Sequence, residues 1–427
     1  MKLRSDRLLG GIVIILFYLI LFQDLMGSFL FRIGIPSPVV KGFLFLKETI
    51  VILTGLCFIL RVRVSIGRLI ITLFLLYSAI FIFVSDLPIY YTLLGYRAYV
   101  LIFFAFLIGE QLGRYPDFTF RFLKHAKIIF WITLIFSVAE VFVLPTSIWT
   151  NVFPVIEMKR QVLELTIDEY YQTGLQVNAI GELTRRMIGP FNDPLTLSYF
   201  VALIVNFFIA QSLFSRGQSK FNAIWGSALI VLTQTRAIIL GLVLSFVGII
   251  FKNSKLKQQH IVIIGFSIVM VAISAVVFWD WVEVFLNTIF SKGGRNIGHL
   301  EAYSDGIKAI KNTPFGNGVG TSSVIVNFSS ATTGTENAYI NLAIEIGVAG
   351  FLLFFGTLVY FLLTLKNYLA LSNSKATDYI VVAAGYLLLI QYIFAGFVAP
   401  HILTARILIP FMIVVGWAYS LTLRGRT

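Results

Sequence analysis

The sequence predicts an all-α protein, a polytopic transmembrane bundle of about twelve helices with two longer external loops containing short amphipathic helices. Three observations predict it. Of the 427 residues, 58% are hydrophobic and only 12% charged, more apolar surface than one soluble core of that size could hide. Apolar stretches of roughly 18 to 25 residues recur along the whole chain, each long enough as a helix to cross about 30 Å of hydrocarbon. Between them, Lys and Arg are unevenly shared by alternate loops, as the two faces of a bacterial-type inner membrane require.

In chain order, the runs near 8–25, 43–60, 69–85, 89–109, 128–144, 191–214, 221–235, 237–251, 261–279, 337–365, 379–399 and 407–422 read as helices. The first, after Met1 to Arg7, superficially resembles a secretory signal peptide. It lacks a small-residue cleavage site and further spans follow, so it reads as a retained helix. With the N-terminus inside, the short segments on that side hold more than half of the 33 Lys and Arg. The opposite side has many more residues and fewer of these charges, so both termini are expected in the cytoplasm. The net charge of +13 follows from this topology. Scattered among loops, it forms no stripe of the kind that binds nucleic acid.

Within this single membrane domain, 1–427, two segments are long enough to fold, 145–190 and 280–336, and both fall on the external side. The first carries a mixed-charge stretch from Val155 to Met187, with Lys159, Arg160, Glu164, Asp168 and Glu169, read as an amphipathic segment lying on the membrane. In the second, Leu300, Tyr303, Ile307 and Ile310 recur at helical spacing before a break at Asn312-Thr313-Pro314, which predicts a short surface helix. No internal repeat is evident, which counts against transporters built from inverted repeats.

The single cysteine, Cys57, leaves no intramolecular disulfide and no cysteine-based metal cluster. His125, His260, His299 and His401 are too dispersed for metal-ligand spacing, and no nucleophile elbow or nucleotide motif is present. Neither a metal nor a cofactor is therefore expected. What remains is a set of arginines at the external boundary, Arg185, Arg186, Arg236, Arg295 and Arg406. Charge is costly there, so such residues are paired, snorkelling or functional.

Arg236 ends Leu232-Thr233-Gln234-Thr235-Arg236 between two apolar runs. A tight helical hairpin there either caps a helix or holds the guanidinium where a membrane-anchored phosphate or pyrophosphate can take a bidentate hydrogen bond. Arg186 opens the turn-rich entry Met187-Ile188-Gly189-Pro190-Phe191-Asn192-Asp193-Pro194 into the sixth helix. Arg185 reads equally as an interfacial anchor, and Arg295, in Gly293-Gly294-Arg295, as a solvated loop charge. Gly316-Asn317-Gly318-Val319-Gly320 reads as a turn, because no Lys-Ser/Thr completes a phosphate loop. Thr335 is placed as an N-cap, which puts Glu336 in the first helical turn, where the helix dipole favours a carboxylate whatever its role. The functional alternative is that Glu336 accepts a proton from an attacking hydroxyl or positions it. Glu345, deeper in the bundle, is a candidate to pair with Arg97.

Three stretches taken together resemble the O-antigen polymerase and O-antigen ligase superfamily, the Wzy-type integral membrane glycosyltransferases. They are Arg186-Met187-Ile188-Gly189 before a helix, Thr233-Gln234-Thr235-Arg236 between two helices, and the run from Gly294 to Gly350. That run reads GRNIGHLEAYSDGIKAIKNTPFGNGVG and then TENAYINLAIEIGVAG. The resemblance covers residues 185 to 350. It implies a metal-independent transfer of a glycan from undecaprenyl pyrophosphate to an acceptor at the external face of the inner membrane, in polysaccharide or lipopolysaccharide synthesis. It implies undecaprenyl-pyrophosphate-linked glycans and membrane lipids as partners, no cofactor and no nucleic acid, and leaves a chain-length regulator protein open.

The family's arginines fall on Arg186, Arg236 and Arg295. Where ligases typically carry histidine before asparagine, Glu336 stands before Asn337, which favours a polymerase. Thr235 replaces the serine that often precedes the hairpin arginine, and the aromatic often found after the loop arginine has no match near His299. The expectation is that Arg236 and Arg186 hold pyrophosphate, Arg295 pyrophosphate or nearby glycan, and Glu336 the acceptor hydroxyl. Arg185, Asn337 and Tyr339 are expected beside the substrate, Tyr339 either stacking on a sugar or simply packing. Two alternatives stay open: a ligase using a lipid-core acceptor, and a flippase or small-molecule transporter, which buried Lys47, Glu48, Arg97, Glu140 and Glu345 could also serve.

Overall fold

The computed structural model describes residues 2–59, 65–115, 117–144, 148–163, 175–177, 183–212, 218–233, 235–252, 296–322, 335, 337–371, 376–397 and 399–424. Eleven of the twelve expected apolar runs are helices in it; the run 261–279 lies outside the described residues. They are α1 (Lys2–Arg32), α2 (Ser37–Phe58), α3 (Ile66–Ile80), α4 (Ile89–Leu112), α5 (Phe118–Phe142), α7 (Pro194–Ser212), α8 (Gln218–Leu232), α9 (Arg236–Lys252), α11 (Ala338–Leu371), α12 (Ala376–Gly396) and α13 (Ala405–Arg424). Among the described residues, the loop helices are α6 (Val155–Leu163) and α10 (Asn296–Asn312). Seven of the long helices are apolar and long enough by themselves to cross a membrane.

Several helices outrun the hydropathy that predicted them. α5 begins at Phe118 and carries Arg121, Lys124 and Lys127 before the apolar run, and α1 continues past Gln23 and Asp24 to Arg32. Hydropathy marks where lipid begins. A helix satisfies its own backbone on both sides of that boundary, and Lys and Arg are good helix formers whose stems snorkel.

The bundle is held by close backbone contact and by buried polar pairs. α4 and α13 cross so closely that a Cβ on Gly109 would fall on the carbonyl of Ile413, and one on Gly416 on the carbonyl of Phe106. Between α7 and α12, Asn206 and Gln391 exchange two amide hydrogen bonds, at 2.8 and 3.1 Å.

α6 differs from its expectation. It buries Val155, Met158 and Val162 in a satellite core with Trp149, Leu25 of α1, and Val40 and Leu44 of α2, and Ile156 is buried as well. Its amphipathic face meets protein, where the sequence suggested a membrane surface. Lys159 then reaches Asp24 of α1 at 3.2 Å, and Arg406 of α13 donates to the same carboxylate at 2.6 Å. Arg406 is therefore a paired arginine. One buried carboxylate fastens the first loop to two helices, and removing it strands two cations. Asp24→Ala is expected to lower the unfolding free energy by about 3–5 kcal/mol, read as a fall in the detergent unfolding midpoint; Asp24→Ala combined with Arg406→Leu recovers part of it.

The expected pairing of Glu345 with Arg97 does not form. Arg97 lies 3.1 Å from Glu48 of α2 and over the Phe45 ring, whereas Glu345 accepts from the Tyr99 hydroxyl at 2.7 Å and from the amide of Ser322 at 3.3 Å. Residues two apart on a helix point about 200° apart, so α4 shows Arg97 to α2 and Tyr99 to α11.

α10 ends at Asn312, as the break predicted. The chain then passes Gly316, Gly318 and Gly320, all at positive φ (95°, 98° and 90°), and docks on a kink in α11 at Ile346-Gly347. There the amides of Asn317 and Gly318 donate to the carbonyls of Ile344 and Glu345, and the amide of Val319 to Phe81. These N–H groups are consumed by the bundle, so the glycine-rich turn is a structural dock and no phosphate cradle.

Candidate functional site

The turn into α7 is built around three side chains. Asp193 caps the helix, accepting from the amides of Leu195 (3.1 Å) and Thr196 (3.0 Å), with Pro194 at the first helical position. Before it, Gly189 to Phe191 form one 3-10 turn, closed by Asn192 in the left-handed region. The carboxylate of Glu140, from α5, accepts from the amides of Ile188 and Gly189 at 3.3 and 3.1 Å.

Arg186 stands at the head of this turn, just after a short hairpin of β1 (Leu175–Val177) and β2 (Leu183–Arg185), in which Leu175 faces Arg185. The hairpin has no counterpart among the elements expected from the sequence. The Arg186 guanidinium crosses to the α8–α9 turn. Its Nε donates to the Thr233 carbonyl at 2.9 Å and its Nη2 to Thr235 Oγ1 at 3.3 Å. Thr235 in turn donates to the Pro194 carbonyl at 3.4 Å and lies 3.1 Å from Thr233 Oγ1.

Two motifs that are 47 residues apart in the chain, at Arg186 and Thr233, thus share one hydrogen-bonded knot. α8 ends at Leu232 and α9 begins at Arg236, so the expected tight hairpin is present with position 236 directly after the knot. Thr235 spends its hydroxyl on Pro194 and Arg186, so it does not cap α9 with its side chain. The side chains of Arg185 and Arg236 lie outside the described residues, as does Arg295 entirely; α10 begins immediately after it, at Asn296.

The second cluster lies where the long loop enters α11. The N-cap is Asn337, not Thr335: its Oδ1 accepts from the amides of Tyr339 (2.8 Å) and Ile340 (3.0 Å), because the helix begins at Ala338. Thr335 is held by a side chain one turn further on. Asn341 Oδ1 accepts from its amide (3.0 Å) and its hydroxyl (2.9 Å), while Asn341 Nδ2 donates to its carbonyl at 2.9 Å. Asn337 Nδ2 also donates to the Phe397 carbonyl at 3.1 Å.

Glu336 itself lies outside the described residues, between two anchored neighbours. The helix starts after it, at Ala338, so position 336 precedes the first helical turn. Tyr339 is 3% exposed, donates to the Ile393 carbonyl at 2.8 Å and packs its ring against Phe351, Phe355 and Phe397. Its hydroxyl and ring are engaged in packing, one of the two roles weighed for it. Asn337→Ala is expected to cost about 0.5–2 kcal/mol of local stability, seen as faster amide exchange at Tyr339 and Ile340 with exchange in α4 unchanged.

α12 is the element common to the two clusters. It packs against α7 and against α11, and the residue after its end, Phe397, receives both Asn337 and the hydroxyl of Tyr303 from α10 at 2.6 Å. Asn341 and Glu140 were missed as supports in the sequence. The signal for Asn341 was its place four residues after Asn337 on one helical face; for Glu140 it was an acid alone in an apolar run. Among the described residues, no group of three or more His, Cys, Asp or Glu could hold a metal ion.

Comparison with known proteins finds two similarities in sequence. Residues 221–355, which include Thr233, Thr235, Asn337 and Asn341, match the family model described as O-antigen ligase. The chain is also 25% identical over 298 residues to an O-antigen polymerase of Salmonella muenchen, covering 65% of this chain and 70% of that protein. Both matches are similarities to proteins of the O-antigen polymerase and ligase superfamily.

Proposed function

We propose that this protein is a metal-independent polysaccharide polymerase that joins undecaprenyl-pyrophosphate-linked oligosaccharide repeat units at the outer face of the inner membrane. The observation that carries the proposal is the knot in which Arg186 is fixed on the Thr233–Thr235 turn directly before Arg236. It brings the Arg186 side chain to the hairpin after which position 236 follows, which supports a seat there for the oxygens of a membrane-anchored pyrophosphate.

In this reaction a hydroxyl of one lipid-linked repeat unit attacks the anomeric carbon of a second lipid-linked chain. A carbon–oxygen glycosidic bond forms, the bond from that carbon to the phosphate oxygen breaks, and undecaprenyl pyrophosphate leaves with the bonding pair. Glu336 takes the hydroxyl proton. The chain grows at its lipid-proximal end. Because the leaving group is already good, the protein mainly aligns two tethered substrates and stabilises the charge that develops on pyrophosphate. Arg186 and Arg236 do the latter, and Arg295 holds pyrophosphate or the adjoining glycan. Both termini are cytoplasmic in this account, with 145–190 and 280–336 outside.

The relative named as a polymerase supports this reading, as does glutamate before Asn337. The description of the family model as a ligase favours the second reading, transfer of the finished glycan to a lipid core. The purified protein in lipid, supplied with its lipid-linked oligosaccharide alone and then with a lipid-core acceptor, separates them. A ladder on the oligosaccharide alone supports polymerisation. A single new band that needs the core acceptor overturns it in favour of the ligase.

A further inference from the structure

Glu140 is an acid within the apolar span α5, and its residue surface is fully buried. Such a carboxylate persists only where hydrogen bonds replace water. Its Oε2 takes them from two consecutive peptide groups, the amides of Ile188 and Gly189. Ile188 is right-handed (φ −109°, ψ −22°) and Gly189 left-handed (φ +53°), and this right–left pair turns successive N–H groups towards one point, the concave arrangement that receives anions. Glycine is needed twice over at 189, for the positive φ and because a Cβ there would stand 2.6 Å from Ser137 Oγ.

The four residues 186–189 are consequently pinned at both ends. Arg186 is tied to the α8–α9 turn, Ile188 and Gly189 are tied to α5, and Met187 between them is buried. Ile188 also belongs to the satellite core of α1, α2 and α6. We infer that Glu140 is a positioning residue for the reaction: by holding these two amides it fixes the place and direction from which Arg186 reaches the hairpin. The inference rests on the reading of Arg186 as part of the pyrophosphate seat.

Its test is a double-mutant cycle in lipid-reconstituted, monodisperse protein, scored by the initial rate of ladder formation per folded molecule. Glu140→Ala is expected to lower kcat/KM by about 30- to 100-fold, the scale set by misplacing a catalytic group by about 1 Å. Glu140→Gln keeps an oxygen that both amides can reach and is expected to stay within about threefold of wild type. Glu140→Ala with Arg186→Ala should be no slower than Arg186→Ala alone, because the first acts through the second.

Multiplicative losses in the double variant, or full activity in Glu140→Ala while Arg186→Ala is inactive, overturn the positioning role and leave the pyrophosphate seat standing. Full activity in Arg186→Ala overturns both. If Glu140→Ala cannot be recovered folded, Gly189→Ala disturbs the same two amides with Glu140 intact, and the same non-additivity with Arg186→Ala is required of it.

Discussion

Arg186→Ala is expected to lower the rate of ladder formation by about 10²–10³-fold, the scale for losing one preorganised group aimed at developing charge, and Arg186→Lys is not expected to restore it. The reason is geometric. Arg186 donates to two acceptors from one edge of its guanidinium, from Nε to the Thr233 carbonyl and from Nη2 to Thr235 Oγ1. These bonds fix the plane of the guanidinium before substrate arrives, so in the proposed role no reorganisation would be needed as charge builds on the leaving pyrophosphate. A lysine ammonium is a point donor on a flexible stem; it can replace the charge or one of the bonds, but not the fork. The measurement is the initial rate per folded molecule for wild type, Arg186→Ala and Arg186→Lys. Recovery of more than half the rate by Lys would show that net charge alone suffices.

Gly109→Leu is expected to prevent folding. A Cβ at this position overlaps the carbonyl of Ile413, and across the same crossing Gly416 meets the carbonyl of Phe106. Overpacking usually costs about 1–3 kcal/mol when neighbouring side chains can move. Here the obstacle is backbone in α13, one of the most deeply buried helices, so the two helices must separate along their length. Gly11→Ala is the matched control, since a Cβ at Gly11 meets nothing within 4 Å. The readout is monodisperse yield and unfolding midpoint in detergent: lost for Gly109→Leu, unchanged or slightly raised for Gly11→Ala. A Gly109→Leu variant that elutes and melts like wild type would contradict the crossing.

The parts legible in the sequence were those imposed by solvent. Lipid forces each apolar run to satisfy its own backbone, so the spans, the α8–α9 hairpin and the break after Asn312 could be placed from hydropathy and turn residues. What pairs with what was less legible. Arg97 and Tyr99 are neighbours in sequence yet serve opposite faces of α4, and only the rotation of that helix decides that Glu345 receives Tyr99. The α6 pattern is the same whether its apolar stripe meets lipid or protein. Thr335 and Asn337 are both good caps, and the choice turned on about two residues of helix boundary. At the candidate site, Arg186 and the hairpin threonines could be named as motifs, but their hydrogen bonds to one another join segments far apart in the chain. Glu140 was visible only as a buried charge, because its partners are backbone amides, which leave no trace in composition.

The most direct test of polymerisation is to give the purified protein, in lipid, an undecaprenyl-pyrophosphate oligosaccharide and to separate the products by size, with Arg236→Ala alongside. The account predicts a ladder from wild type that disappears in the variant while the variant stays folded. Folded wild-type protein that makes no new glycosidic bond, yet moves the lipid-linked sugar across the bilayer, would contradict it and identify a transporter.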